Sequence, residues 1–264
     1  MTADPIAAES QSNRRDSALQ CHACYDSDSN MMQMSVRENL LRIHERIARA
    51  AARAGRSTEE ITLIAVSKTH PASAIVEAYE AGVRHFGENR VQEWEGKHAG
   101  TEGLGATWHL IGHLQSNKAA RAAKLFHSVD SVDDFAVAQR LDRAHAEAGI
   151  TGKLRVLVEV HVAAEETKTG VEIRELATLA EKCAELSRLE LAGLMCIPPF
   201  LEKADDVRPY FRRLRELREE LAGKLGIELR VLSMGMSHDF EVAIEEGATE
   251  VRVGTALFGA REAR

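Results

Sequence analysis

The 264-residue chain is 44% hydrophobic and 28% charged, enough to bury a sizeable core in one large α/β domain or in two smaller ones. No apolar run approaches the roughly 18 residues of a membrane span, no apolar signal core opens the chain, and a formal net charge of −7 opposes broad capture of nucleic acid, which needs clustered Lys and Arg. A soluble, cytoplasmic protein without membrane or nucleic-acid partners is expected, in which any anionic ligand is held locally.

Residues 1–34 mix Ser, Asn, Asp and Gln with little periodicity, the pattern of a disordered tail ahead of one domain over 35–264. Met31, Met32 and Met34 close this stretch, as they would if translation started near Met34. Cys21 and Cys24 stand at CxxC spacing in "CHAC". With no second ligand pair and no flanking βαβ pattern, they are assigned neither a zinc nor a redox role. Cys183 and Cys196 lie inside apolar segments and are expected to be buried thiols.

Two patterns alternate from Ser35 onward. The segment from Ser35 to Ala54 reads as a helix leading into the first strand. Eight β-branched apolar runs follow: "ITLIAV" (61–66), "VRHFG" (83–87), "TWHLIG" (107–112), "LFHSVDS" (125–131), "LRVLVEVHV" (154–162), "LELAGLMCI" (189–197), "ELRVLSM" (228–234) and "EVRVG" (250–254). Between them lie amphipathic stretches rich in Ala, Glu, Arg and Leu, with Gly149 and Gly226 as stop signals. Apolar strands joined by helices imply a parallel sheet covered on its outside. Eight such units favour a (β/α)8 barrel, the TIM-barrel architecture, with an extra N-terminal helix. A doubly wound open sheet is the alternative, but "LIAVS" is followed by Lys-Thr-His-Pro rather than by a Gly-rich phosphate loop.

Barrel chemistry sits where strands end, and these ends carry Lys68, "GEN" (87–89), "HLIGHLQSNK" (109–118), "EETKTG" (165–170), "MCIPP" (195–199), "SMGMSHD" (233–239) and "RVGTALFG" (252–259). Lys68 taken alone reads either as a lysine snorkelling into solvent or as a partly desolvated, nucleophilic amine. His109 and His113 have i, i+4 spacing, but one falls in a strand and the other in a loop, so no metal pair is expected. His109 remains a candidate lining residue.

The ordered set "AVSKTHP", "HFGENRVQE", "WHLIGHLQSNK", "LSMGMSHDFEVAI" and "VRVGTALFGAR" resembles the family of small pyridoxal-phosphate (PLP) homeostasis proteins, single-domain relatives of the alanine racemase barrel domain. The match runs from about Met34 to Arg261. It implies a PLP-binding barrel with no established reaction, which stores, delivers or buffers the cofactor and has PLP-dependent apoenzymes as its possible partners.

By this resemblance Lys68 is the Schiff-base lysine for the PLP aldehyde. Phosphate donors are expected from Ser233, Met234, Gly235 and Ser237 and from Gly254 and Thr255, where glycines and hydroxyls after the last two strands form an anion nest. Arg252, on the same side of its strand as Gly254, faces the pyridine nitrogen by resemblance; a barrel arginine paired to Glu250 is the plain alternative. Asn89 is a candidate for the ring's phenolic oxygen or an ordinary turn residue. His161 stands where relatives often carry asparagine, which leaves the loop with Lys168 unassigned.

Three function classes follow. The first is a non-catalytic PLP carrier or regulator, which the motif set supports. The second is a PLP-dependent amino-acid racemase, which needs acids and bases on both substrate faces. The chain ends ten residues after Gly254 and its tyrosines, Tyr25, Tyr79 and Tyr210, fall outside the strand-end motifs, so that second base is missing. The third is a cofactor-free class I aldolase with a Schiff-base lysine. A monomer is expected, since no long exposed apolar surface is evident.

Overall fold

The computed structural model describes residues 35–163 and 169–259. The N-terminal tail with its CxxC, Lys168, and most of the 165–170 loop lie outside the described residues.

The first element is α1 (Val36–Arg53), close to the expected segment. Ser35 and Glu38 form a reciprocal capping box at its start, which satisfies two otherwise orphaned N–H groups. Leu40, Ile43, Ile47, Ala50 and Ala51 are its buried residues, at the spacing of one helical stripe. Full burial of each large aliphatic side chain contributes about 1.5–3 kcal/mol before entropy is counted.

The strands are β1 (Thr62–Val66), β2 (His85–Glu88), β3 (Thr107–Leu110), β4 (Ser128–Val132), β5 (Leu154–His161), β6 (Val171–Glu172), β7 (Leu189–Met195), β8 (Val231–Met236) and β9 (Glu250–Val253). The helices after α1 are α2 (Ala72–Ala81), α3 (Val91–His98), α4 (Ala119–Leu125), α5 (Phe135–Glu147), α6 (Ile173–Ala184), α7 (Arg208–Leu225), α8 (Phe240–Glu245) and α9 (Thr255–Phe258). The sheet order is β4-β3-β2-β1-β9-β8-β7-β5, and a β4–β5 pairing closes it. Every pairing is parallel. The result is the expected eight-stranded (β/α)8 barrel with a leading helix. Among the described residues, no helix is long and apolar enough to cross a membrane.

Two boundaries move for physical reasons. The run 125–131 does not begin as a strand, because Leu125 closes α4 and β4 starts only at Ser128. The seventh run extends beyond 234, because β8 continues through Met236. The two-residue β6, which pairs with the end of β5, was not anticipated.

Alternation along each strand separates two environments. Phe86, Trp108, Val129, Val156, Leu232, Met234 and Val251 belong to the main core shared with the helices. The barrel interior is largely polar. Arg155 on β5 donates to Glu250 on β9, strands that are not sheet neighbours, so this ion pair spans the interior. His109 bonds both His85 (3.1 Å) and Asp130 (3.0 Å). A small apolar cluster of Leu157, Ala192 and Met195 fills another part.

Candidate functional site

A cavity of about 400 Å³ opens at the C-terminal end of the strands, with Val66, Lys68, Asn89, Ile111, Met236, Ser237, Arg252, Gly254 and Thr255 in its wall. Six of the residues expected at the site therefore meet there: Lys68, Asn89, Ser237, Arg252, Gly254 and Thr255.

Lys68 follows β1 in a turn that the neighbouring strand holds. The Ser67 N–H continues the ladder to Gly87 O at 3.0 Å, and the Ser67 hydroxyl donates to Glu88 Oε1 at 2.7 Å. Lys97 Nζ donates to Ser67 O (2.8 Å), Glu88 Oε1 (2.9 Å) and Glu93 Oε1 (2.8 Å). Thr69, directly after Lys68, has φ 68, a left-handed conformation that costs a β-branched residue roughly 1–2 kcal/mol. Its N–H donates to Glu93, and that bond helps to hold the strained turn. Burial pushes the Glu88 carboxyl above its usual range, while Lys97 and Ser67 oppose the rise. Glu93 is also partly buried, yet bonds from Lys97 and Thr69 hold it below its usual value.

Arg252 on β9 is only 3% exposed. It donates from Nη1 to Ser233 Oγ at 2.8 Å and from Nη2 to Cys196 O at 2.8 Å. The alternative partner Glu250 is taken by Arg155. Beside Arg252, Cys196 is buried and its thiol is pushed up to about 12, as burial also does for Cys183; both are the inert thiols expected. Ser237 Oγ accepts from the N–H groups of Gly254 and Ala256 at 3.3 Å each. A Cβ on Gly254 would lie 3.3 Å from Val66 O, so glycine lets β9 end close against β1.

Four expected residues do not line the cavity. Ser233, Met234 and Gly235 stay within β8 because that strand runs on to Met236, and the loop positions at the cavity are Met236, Ser237 and His238. Ser233 instead holds Arg252, and Met234 lies in the core beneath the helices. Gly235 has φ 90, and a Cβ there would come within 2.5 Å of Ala243 Cβ, so it allows β8 to approach α8. His109 is fully buried inside the barrel, held by His85 and Asp130. His113 lies apart from it in the cavity wall, bonded to Asp133 Oδ2 at 3.1 Å.

His109, Asp130 and Glu250 place ligand-type atoms within 4.8 Å of one another. The Arg155 guanidinium already donates to Glu250 and supplies the positive charge that a cation would bring. His161 bonds Glu172 Oε1 at 3.1 Å, joining the end of β5 to β6.

The Lys97 network, Thr69, and the outer cavity wall of His70, Thr169, Ile197, Phe200 and His238 went unread in the sequence. Glu93 and Lys97 at i, i+4 were the one available signal. His70 stacks on Phe258 with ring centroids 4.7 Å apart, and Phe200 stands 77% exposed at the rim.

Residues 39–262 match the family model described as alanine racemase, N-terminal domain. The chain is 47% identical over 229 residues to the pyridoxal phosphate homeostasis protein of Aquifex aeolicus, covering 87% of this chain and 100% of that protein. It is 45% identical over 237 residues to the protein of the same name from Escherichia coli, covering 86% and 97%. The fold matches PipY of Synechococcus elongatus, solved with PLP bound, at a TM-score of 0.76 and 39% identity, covering 85% of this chain and 100% of PipY. An alanine racemase from Clostridium difficile matches at a TM-score of 0.65 and 15% identity, over 87% of this chain and 60% of that enzyme, a likeness of fold alone.

Proposed function

The chain belongs to the pyridoxal phosphate homeostasis proteins of the alanine racemase N-terminal-domain family, and from that premise we propose that its cavity binds PLP covalently through Lys68 and serves cofactor buffering or delivery in the cytoplasm. The observation that carries this reading is the meeting of an amine, a guanidinium and a hydroxyl–amide cluster in one cavity wall.

The residues fit the cofactor group by group. Lys68 supplies the amine for the aldehyde. Arg252 donates to the ring nitrogen, Asn89 to the phenolic oxygen, and Ser237, its hydroxyl fixed by the Gly254 and Ala256 N–H groups, holds the phosphate with the N–H and hydroxyl of Thr255. Val66, Ile111 and Met236 provide apolar walls for the ring. When bound, PLP supplies an aldehyde for amine capture and an electron-withdrawing ring.

The polar floor favours holding over catalysis. A guanidinium does not release its proton, so Arg252 presents only donors to the ring nitrogen and leaves it unprotonated. Ser233 and Cys196 O fix the direction of those donors. Carbanion chemistry is strongest with a protonated ring nitrogen, which a carboxylate partner secures, and among the described residues no tyrosine is in the cavity wall. PLP-dependent apoenzymes are the recipients in this reading, and the chain acts as a monomer.

Addition of PLP to the purified protein should produce a visible absorption band that borohydride abolishes. The band should be absent from Lys68→Ala, whose far-UV circular dichroism stays that of the wild type. A full-strength band in that variant would refute covalent attachment at Lys68.

A further inference from the structure

A second cavity, of about 490 Å³, lies beside the first and shares Asn89, Gly112 and His113 with it. It is formed between the loop after β2, the start of α3, and the loop after β3. Its floor is apolar, from Val91, Leu110 and Leu114, and its walls carry Arg90, Lys118, Gln92 and Gln115. Among the described residues no Asp or Glu lines it. In a chain with net charge −7, two cations in a wall whose described residues include no carboxylate are a local reversal of the overall field.

Neither Lys118 nor Arg90 forms a close ion pair with a carboxylate among the described residues, although Glu93 lies near enough to Arg90 to feel its charge. The first turn of α3 has no side-chain cap, which leaves N–H groups beside Arg90 available to an acceptor. Two cations, main-chain donors and two glutamine amides around one volume match a dianion with several acceptor oxygens joined to a small polar body.

We propose that this cavity is a second ligand site, for a small phosphate monoester, distinct from the cofactor position. Lys118 and Arg90 neutralise the phosphate, and Gln92 and Gln115 meet its polar remainder. Because Asn89, Gly112 and His113 are walls common to both cavities, a ligand here touches the loops that border the cofactor. A Cβ on Gly112 would come within 2.5 Å of Asn89 O, so these two loops are in direct backbone contact, and displacement of one is felt by the other.

The test uses the full chain with PLP fixed by borohydride reduction, so that the first cavity is filled. Calorimetric titration with glycerol phosphate should give saturable one-to-one binding that weakens with added salt. Lys118→Gln and Arg90→Gln should each weaken it about tenfold without changing the cofactor content. Absence of saturable binding, or equal binding by the Lys118→Gln/Arg90→Gln double variant, overturns the proposal. So does binding seen only before reduction, which would assign the phosphate to the cofactor's own position, and so does equal affinity for succinate, which would remove the phosphate preference. If no cofactor is incorporated on reduction, the covalent reading fails instead, and the same comparison of wild type with the two variants in unmodified protein still decides this one.

Discussion

The guanidinium of Arg252 donates to the hydroxyl of Ser233 across the β8–β9 pair at 2.8 Å, so the cation on the cavity floor is aimed by a residue that does not itself reach the cavity. A hydrogen bond to a charged group contributes about 1.5–3 kcal/mol. Ser233→Ala should therefore lower stability by about that amount and weaken PLP binding about tenfold, with the covalent adduct still forming. Fluorescence titration and thermal unfolding check this together; unchanged affinity would mean that Cys196 O alone orients Arg252.

Lys97 is the counterion of two carboxylates under the Lys68 turn. Lys97→Met leaves Glu88 buried without its cation and should cost about 3–5 kcal/mol at neutral pH. The Glu88 carboxyl is already raised from 4.5 by burial and rises further in this variant. A carboxyl that is raised in the folded state binds more protons there than in the unfolded chain, so stability falls as pH climbs from the unfolded value through the folded one. The deficit of Lys97→Met against wild type should thus be largest at pH 7 and shrink toward pH 5. Urea midpoints across that range measure it, and a deficit independent of pH would show that lost packing, not charge, is responsible.

His85 is held near 4, down from 6.5, first by burial and then by the neighbouring His109 and Arg155 charges. An imidazole depressed in the folded state binds fewer protons there, so its neutral form loses its advantage as pH falls from about 6.5 to about 4. His85→Gln, which keeps a polar partner for His109, should retain more stability at pH 4.5 relative to pH 7 than the wild type does. Denaturation at the two pH values tests this, and identical losses would place the acid sensitivity elsewhere.

The Arg252 contact also bears on catalysis. Holo-protein incubated with L-alanine in heavy water should show no α-deuteration above the free-PLP control by proton NMR. Uptake far above that control and dependent on Lys68 would make the protein an enzyme.

The sequence made the barrel readable because its strands are continuous apolar runs and α1 repeats Leu40, Ile43 and Ile47 at helical spacing. Lys68 and Gly254 were readable because one stands just past such a run and the other closes one, whereas Arg252, inside its run, was expected at the site from the family resemblance. Ser233, Met234 and Gly235 were expected among the phosphate donors because the strand was read as ending at Met234; nothing local marks the true end of β8, whose last residue, Met236, is as apolar as the strand before it. The interior network was beyond reach for a different reason. Arg155 and Glu250 are 95 positions apart, and only barrel closure, set by the β4–β5 pairing, turns them toward each other. Thr69 likewise gives no local sign of a positive φ, since glycine and asparagine are the usual markers.

The most direct measurement is mass-spectrometric mapping of protein reduced with borohydride in the presence of PLP. One pyridoxyl phosphate group on the peptide carrying Lys68, absent from Lys68→Ala, is the expected result. An adduct on Lys118 or Lys168 with Lys68 unmodified would contradict the assignment of this cavity as the cofactor site.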